Sequence, residues 1–442
     1  MPTAIEIFKH LPKKNCGKCN YPTCLAFAMQ LANSKAKLED CPFVSEQGKA
    51  ALAASSAPPI RLVRFGSGNR TIEMGDETEL YRHEKKFFHP IAMAISVSDA
   101  MTHEEIGGRL NGICSLRFER VGQTLCFDAV AVVDETGDAE RFAMTAEQVA
   151  ATSDMPLILV SNSPERMRAA ASKVASRKPL LHGAGTQNLQ AMAMVAKELG
   201  CPLSLKGPKG LDEMADLVAK ARAAGVEDLV LDLGPRGLKD QLELSSTIRR
   251  LAVKKFFRGL GYPVLVEAGK GEVAALKGML AIMKYGSLVV FDDLSEAQAL
   301  PLFVLRQNIY TDPQVPIQVK PGTYAVNGAG EDSPILFTTN FSLTYFTVLA
   351  DIEKSKVPAW LLVVDSEGLS VMTAFSAGKL TPETVIKALE TSAVRDKTKS
   401  RTLVTPGMVS RMSGKLQELS GMKVVVGPKE SSGIPKFLKG LG

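Results

Sequence analysis

An α/β multidomain chain is the fold class this sequence predicts, on three observations. Four cysteines crowd its first 41 residues, as C-x2-C-x4-C-x16-C. From about residue 88, eight apolar runs of strand length alternate with helical segments. After a break dense in proline and glycine, a shorter alternation of strands and helices follows. The first points to a small metal-binding module, the second to a parallel (β/α)8 or TIM barrel, and the third to an open-sheet α/β domain.

Composition bounds what such a chain does. A length of 442 residues suits two to four domains, and a hydrophobic fraction of 45% is ample for their cores. No run of about 20 apolar residues is present, so nothing is expected to span a membrane. The opening Met1-Pro2-Thr3-Ala4-Ile5-Glu6 lacks a basic-then-apolar signal pattern. Seven cysteines, four in one metal-like array, fit a reducing cytoplasm. The net charge of +6 is modest, with Lys and Arg interspersed among Asp and Glu and no basic arm, which argues against nucleic acid as a partner.

Taken in order, Cys16, Cys19, Cys24 and Cys41 offer thiolates to a soft metal centre, an iron–sulfur cluster or zinc. Zinc sites usually answer one close cysteine pair with another. Here only Cys16 and Cys19 are paired, and Cys41 stands alone before Pro42, which favours a four-iron cluster. Gly17 lies where the backbone must bend tightly. Thr23 is the expected N-cap of a helix running Cys24 to Ala32, with Phe27 and Leu31 on the face of Cys24. The same run also suits a small amphipathic helix packing on a neighbour. Cys114, Cys126 and Cys201, set among apolar residues, read as buried thiols. Ala50 to Pro59 reads as a linker or frayed helix, and residues 60–80 as a hairpin turning at Gly66-Ser67-Gly68-Asn69.

The barrel strands are expected at Ile91–Val97, Phe127–Val133, Leu157–Val160, Pro179–His182, Pro202–Leu205, Asp228–Leu233, Pro263–Glu267 and Ser287–Phe291. Helices between them include Ser163–Ser176, Gln187–Leu199, Leu211–Ala224, Lys239–Phe257 and Glu272–Tyr285. A doubly wound open sheet is the alternative. Asp134, Asn162, Asp232, Glu267, Asp292 and Asp293 fall at the carboxyl strand ends, where barrel chemistry sits. They could position or protonate a substrate, or merely solvate the loops, and the second reading is favoured. His83, His89, His103 and His182 look isolated, so no catalytic residue is assigned. Gly183-Ala184-Gly185 could admit a ligand closely.

Residues 308–333 read as an interdomain connection. Beyond it, strands are expected at Ile335–Thr338, Trp360–Val364, Leu369–Thr373, Arg401–Thr405 and Lys423–Val426. Helices are expected at Ser342–Ser355, after the Thr381 cap with Pro382 at the first helical position, and at Met408–Leu419. Ligands of such sheets lie outside the carboxyl strand ends. Those loops are Thr338-Thr339-Asn340, the 369–373 region, Thr405-Pro406-Gly407 and Gly427 to Gly433. They offer hydroxyls, amides and exposed backbone N–H groups, suited to a large cofactor with amide side chains and a phosphate.

The stretch Leu11-Pro12-Lys13-Lys14-Asn15-Cys16-Gly17-Lys18-Cys19, with Pro22-Thr23-Cys24-Leu25-Ala26-Phe27-Ala28 and Asp40-Cys41-Pro42, resembles the large (gamma) subunit of the corrinoid iron–sulfur protein of the acetyl-CoA synthase/decarbonylase complex. Ser413-Gly414-Lys415-Leu416 and Gly433-Ile434-Pro435-Lys436 support it, and the likeness runs the length of the chain. It implies a 4Fe-4S cluster module and linker at 1–59, a hairpin plus TIM barrel at 60–312 similar to pterin-using methyltransferases, and a linker and open-sheet corrinoid-binding domain at 313–442. It implies corrinoid (cobamide, cobalt) contacts on or near Thr339, Asn340, Thr344, Ser370, Val371, Met372, Thr373 and Gly433. The implied function is a methyl carrier of the reductive acetyl-CoA pathway. Co(I) would accept a methyl group from methyl-tetrahydropterin and deliver it to acetyl-CoA synthase/CO dehydrogenase, the cluster reducing stray Co(II). Partners would be a small barrel subunit, as a heterodimer, and a methyl-tetrahydropterin methyltransferase. The alternative is a barrel methyltransferase with an attached redox cluster, binding pterin through residues such as Asn162 and Asp232. Independently of the likeness, no histidine follows His182. No imidazole is then available to cobalt from the C-terminal domain, and withholding a donor favours the electron-rich, low-coordinate metal.

Overall fold

The computed structural model describes residues 4–32, 35–46, 48, 49, 52, 58–207, 210–312, 315–392 and 394–441. Most of the expected linker at 50–59 lies outside the described residues. The chain divides into two compact units, one of residues 1–80, 91–110 and 128–294, the other of 81–90, 111–127 and 295–442.

The first unit begins with two short helices, α1 (Ala4–His10) and α2 (Cys24–Ala32). Thr23 caps α2 as expected, its Oγ1 accepting from Ala26 N at 3.0 Å. A hairpin follows, β1 (Val63–Phe65) antiparallel to β2 (Ile72–Met74). Eight parallel strands then close into a barrel in the order β10-β11-β12-β3-β6-β7-β8-β9. They are β3 (Ala92–Ser98), β6 (Ala129–Val133), β7 (Leu157–Val160), β8 (Leu180–Ala184), β9 (Leu203–Lys206), β10 (Leu229–Asp232), β11 (Val264–Gly269) and β12 (Leu288–Phe291). Closure removes the open-sheet alternative.

These strands are buried on both faces, which is why they read as continuous apolar runs without alternation. Val63, Phe65 and Met74 of the hairpin pack with Ala92, Ala129, Ile158, Leu180, Val230, Leu265 and Leu288, which begin or nearly begin their strands. The hairpin thus stoppers the amino end of the barrel and leaves the carboxyl end for chemistry.

The second unit holds a small antiparallel pair, β4 (Phe118–Arg120) and β5 (Gln123–Leu125), and a five-stranded sheet in the order β13-β15-β14-β16-β17. Its strands are β13 (Gly322–Val326), β14 (Ile335–Thr339), β15 (Ala359–Val364), β16 (Thr402–Thr405) and β17 (Lys423–Val426). All neighbours are parallel except β13 and β15. Period-two alternation sorts its side chains cleanly. Ile335, Phe337, Leu362, Val364 and Leu403 face one apolar layer with the helix Pro382–Thr391, while Leu336, Leu361, Val363 and Val404 face another with Tyr345, Ile352, Ile434 and Leu438.

Two expectations are corrected here. The segment 369–373 is no strand: Val371–Ser376 is a helix entered from Ser370, with Ala374 N donating to Ser370 O at 2.7 Å. The β-branched Val371 and Thr373 suggested a strand, but the edge of β15 is already paired. Its antiparallel partner is β13, inside the stretch read as an interdomain connection. Positive φ at Gly322 and Asn327 explains the glycine-rich flanks as strand punctuation.

Candidate functional site

Three places gather chemistry. The first is the cysteine loop. Cys19, Cys24 and Cys41 are buried in one apolar cluster with Ile7, Leu11, Phe27, Ala28 and Val44, with Leu31 packed against it, and Cys16 is exposed beside it. Lys13, Asn15 and Gly17 have φ of 55°, 47° and 71°, while the residues between them do not turn left-handed. Left-handed backbone at these alternate positions bends the segment tightly ahead of α2. Nothing lies within 4 Å of a Cβ placed on Gly17, so glycine is there for its dihedral. Asn15 Oδ1 accepts from Cys24 N at 2.8 Å, tying the loop to the start of α2. Lys14 and Lys18 both place Nζ near the Phe43 ring, 4.6 and 5.1 Å from its centroid.

The second place is a cavity of about 380 Å³ in the C-terminal sheet. It opens where β14, β16 and β17 end, at the reversal of strand order where open sheets bind ligands. Thr338 and Thr405 line it, and their buried Oγ1 atoms have no hydrogen-bond partner among the described residues; Thr339, whose Oγ1 is likewise unpaired, does not line it. Leu343, Met372 and Met408 line it too, although they are 55%, 38% and 50% exposed. The result is a hydroxyl floor inside an uncovered apolar rim. Gly407 lets the loops after β16 and β17 meet, since a Cβ there would lie 2.5 Å from Gly427 O.

Of the eight residues expected to bind cofactor here, Thr344, Ser370, Val371 and Met372 line the cavity. Thr373 reaches Ser370, Oγ1 to Oγ at 2.9 Å. Gly433 sits close against Pro428, where a Cβ would come within 2.8 Å. Asn340 is buried and fully engaged. Its Oδ1 accepts from Ser366 N, Ser366 Oγ and Gly368 N, and its Nδ2 donates to Asp365 and Gln318. Its amide therefore fastens the loop that leads to Ser370. The loops at Thr338-Thr339-Asn340, Thr405-Pro406-Gly407 and Gly427 to Gly433 are marked in the sequence as carboxyl strand ends, but nothing there singles out Met408 within its expected helix.

The third place is the carboxyl mouth of the barrel. Asp134 pairs with Arg166 at 2.5 Å and accepts from Ser161, a structural role. Asp292 and Asp293 are exposed, and Asp293 lies 3.4 Å from Arg109. His182 is not isolated, which corrects that expectation. On β8 it places Nε2 3.0 Å from Glu267 Oε1 of β11 and 3.8 Å from Asp232 Oδ2 of β10. Its Nδ1 lies 2.9 Å from Ser204 Oγ of β9, and Lys206 Nζ is 3.4 Å from Glu267. Four short strands separated in sequence bring these groups together, and no local spacing announces it. Burial pushes the Asp232 carboxyl up from its ordinary range, whereas the hydrogen bond from His182 holds Glu267 down at about 2. Glu267 is therefore ionised and accepts, and His182 Nε2 carries the proton.

A chain with a thiolate module, a TIM barrel and an open sheet opening on a ligand cavity belongs to the multidomain cofactor-binding α/β class. The profile of the CO dehydrogenase/acetyl-CoA synthase delta subunit family matches residues 62–438, and an Fe-S cluster family matches residues 11–43. The chain is 44% identical to the corrinoid/iron-sulfur protein large subunit of Moorella thermoacetica over 99% of its own length and 98% of that protein's. It is 34% identical to the acetyl-CoA decarbonylase/synthase complex subunit gamma of Methanothermobacter thermautotrophicus, covering 99% and 98%. The delta profile begins past the cysteine loop, whereas these relatives align along almost the whole chain. The chain belongs to the family of corrinoid/iron–sulfur protein large subunits, the gamma subunits of acetyl-CoA decarbonylase/synthase complexes. Among solved structures, a dihydropteroate synthase of Xanthomonas albilineans matches 57% of the chain and 100% of its own, at 18% identity and a TM-score of 0.41.

Proposed function

We propose that this chain is the methyl-carrying subunit of a corrinoid iron–sulfur protein, with modules at 1–59, 60–312 and 313–442. When bound, the corrinoid supplies a cobalt nucleophile that accepts and passes on a methyl group, and a four-iron cluster supplies the single electron that keeps it reduced. The observation that carries this reading is the C-terminal cavity, whose floor has unpartnered buried hydroxyls and whose apolar rim is exposed.

The chain's own residues have distinct tasks. Cys16, Cys19, Cys24 and Cys41 would ligate the cluster, three of them buried and Cys16 exposed, on the tightly bent segment 13–17 and its flanks. Phe27 and Leu11 keep water from it. Thr344, Ser370, Val371 and Met372 face the corrinoid, with Thr339, Thr373 and Gly433 beside them, and Asn340 sets the loop that presents Ser370. No residue from 183 to 442 is histidine, so this domain offers cobalt no imidazole.

A cavity of about 380 Å³ is near the lower limit for pockets enclosing drug-sized ligands, about 300–1,000 Å³. A corrin is larger than those, so this cavity covers part of it. The small subunit of the same complex would cover the remainder as a heterodimer. The methyl donor would be a methyl-tetrahydropterin held by its methyltransferase, and the acceptor acetyl-CoA synthase.

Metal analysis of the anaerobically purified complex tests the proposal. Iron and cobalt together, in a ratio of four to one, are expected. Iron without corrin, or zinc in place of iron, would overturn it.

A further inference from the structure

We propose that the barrel mouth holds a divalent first-row metal ion, ligated by His182, Asp232 and Glu267. One ligand atom from each lies within 4.8 Å of the others, so a single ion can touch all three. A single imidazole with two carboxylates suits the span from Mn²⁺ to Zn²⁺. Three protein ligands leave coordination positions open.

The strands are shaped around this point. β8 shifts register between His182 and Ala184, and β11 between Glu267 and Gly269. A bulge re-aims the side chain beside it, and here two bulges flank two of the three ligands. The first needs glycine: Gly183 has φ +125°, and a Cβ there would lie 2.3 Å from Ser161 O.

The unused valences converge as well. Asp232 is fully buried, and its Oδ1 accepts from Gly234 N at 2.7 Å while its Oδ2, 3.8 Å from His182 Nε2, has no hydrogen-bond partner among the described residues. Leaving a buried carboxylate oxygen bare is costly, and an ion between Asp232 and His182 would satisfy it. Ser204 Oγ stands ready to accept from Nδ1, so the imidazole proton can move from Nε2 to Nδ1 and free the Nε2 lone pair. Lys206 is the competing cation, 3.4 Å from Glu267 and exposed enough to swing aside. A cavity of about 350 Å³ at the same barrel mouth is lined by Lys206 of this network, by Gly183 beside His182, and by Asn162 and Asn188.

The test titrates the full-length protein, cluster intact, with Mn²⁺ and follows the loss of the aqueous Mn²⁺ resonance by electron paramagnetic resonance. One ion per chain is expected. Asp232→Asn and His182→Gln should each weaken binding by roughly 100-fold, and Lys206→Ala should tighten it roughly tenfold by removing a competing charge. Absence of stoichiometric binding to the wild type overturns the proposal, as does unaltered affinity in folded Asp232→Asn protein. Should the buried substitutions prevent folding, Lys206→Ala decides alone: affinity no tighter than wild type overturns it.

Discussion

Cys24 is at once a buried thiol and the first residue of α2, its N–H held by Asn15. Cys24→Ala should therefore strip the visible absorbance and the iron. Methyl transfer from cobalt already reduced by an added chemical reductant should survive. Loss of that methyl transfer along with the iron would make the cluster structural. Cys201 behaves oppositely. Burial pushes its thiol up to about 11, and its Sγ faces Leu199 O at 3.6 Å. In the native protein it should resist iodoacetamide at pH 9, where the unfolded chain reacts, as peptide mapping would reveal. The sign for stability follows. The unfolded thiol ionises near pH 8.5–9 and the folded one only near 11. Stability is thus indifferent to this group at neutral pH and falls as pH rises across that interval. The spacing of the cysteines marked a metal-like array in the sequence, and the structure gathers Cys19, Cys24 and Cys41 in one buried cluster. The His182 network was not, because its members lie on four different strands and only closure of the barrel joins them.

Single elements carry the C-terminal cavity. Asn340 receives three donors from the loop after β15, and truncation would leave buried N–H groups bare, each costing about 1–3 kcal/mol. Asn340→Ala should raise hydrogen exchange across 365–373 and speed corrinoid loss while iron content stays constant. Unchanged exchange would separate Asn340 from that loop. The eight barrel strands and the helix Ser342–Ser355 were legible because long apolar runs and strong periodicity survive any context. The misread strand at 369–373 and the missed β13 are two sides of one limit: which strand completes an edge depends on what else is free to pair, and propensity is silent on that.

At the scale of the molecule, an uncovered apolar rim is a demand for a lid. Met408 is half exposed at the rim of the cavity. Met408→Asp should release the small subunit and the corrinoid together, seen by gel filtration and cobalt content, with iron retained. Cobalt lost while the heterodimer persists would confine Met408 to cofactor packing. No helix among the described residues is long and apolar enough to cross a membrane.

The stoppered barrel has a consequence for biosynthesis. Val63 and Phe65 leave the ribosome before any barrel strand, yet the groove that receives them is finished only when Leu288–Phe291 has emerged. Throughout that interval two greasy side chains wait beside a nascent, unclosed sheet. Production of this chain should accordingly lean on chaperones that shelter its early segments until the ring is complete.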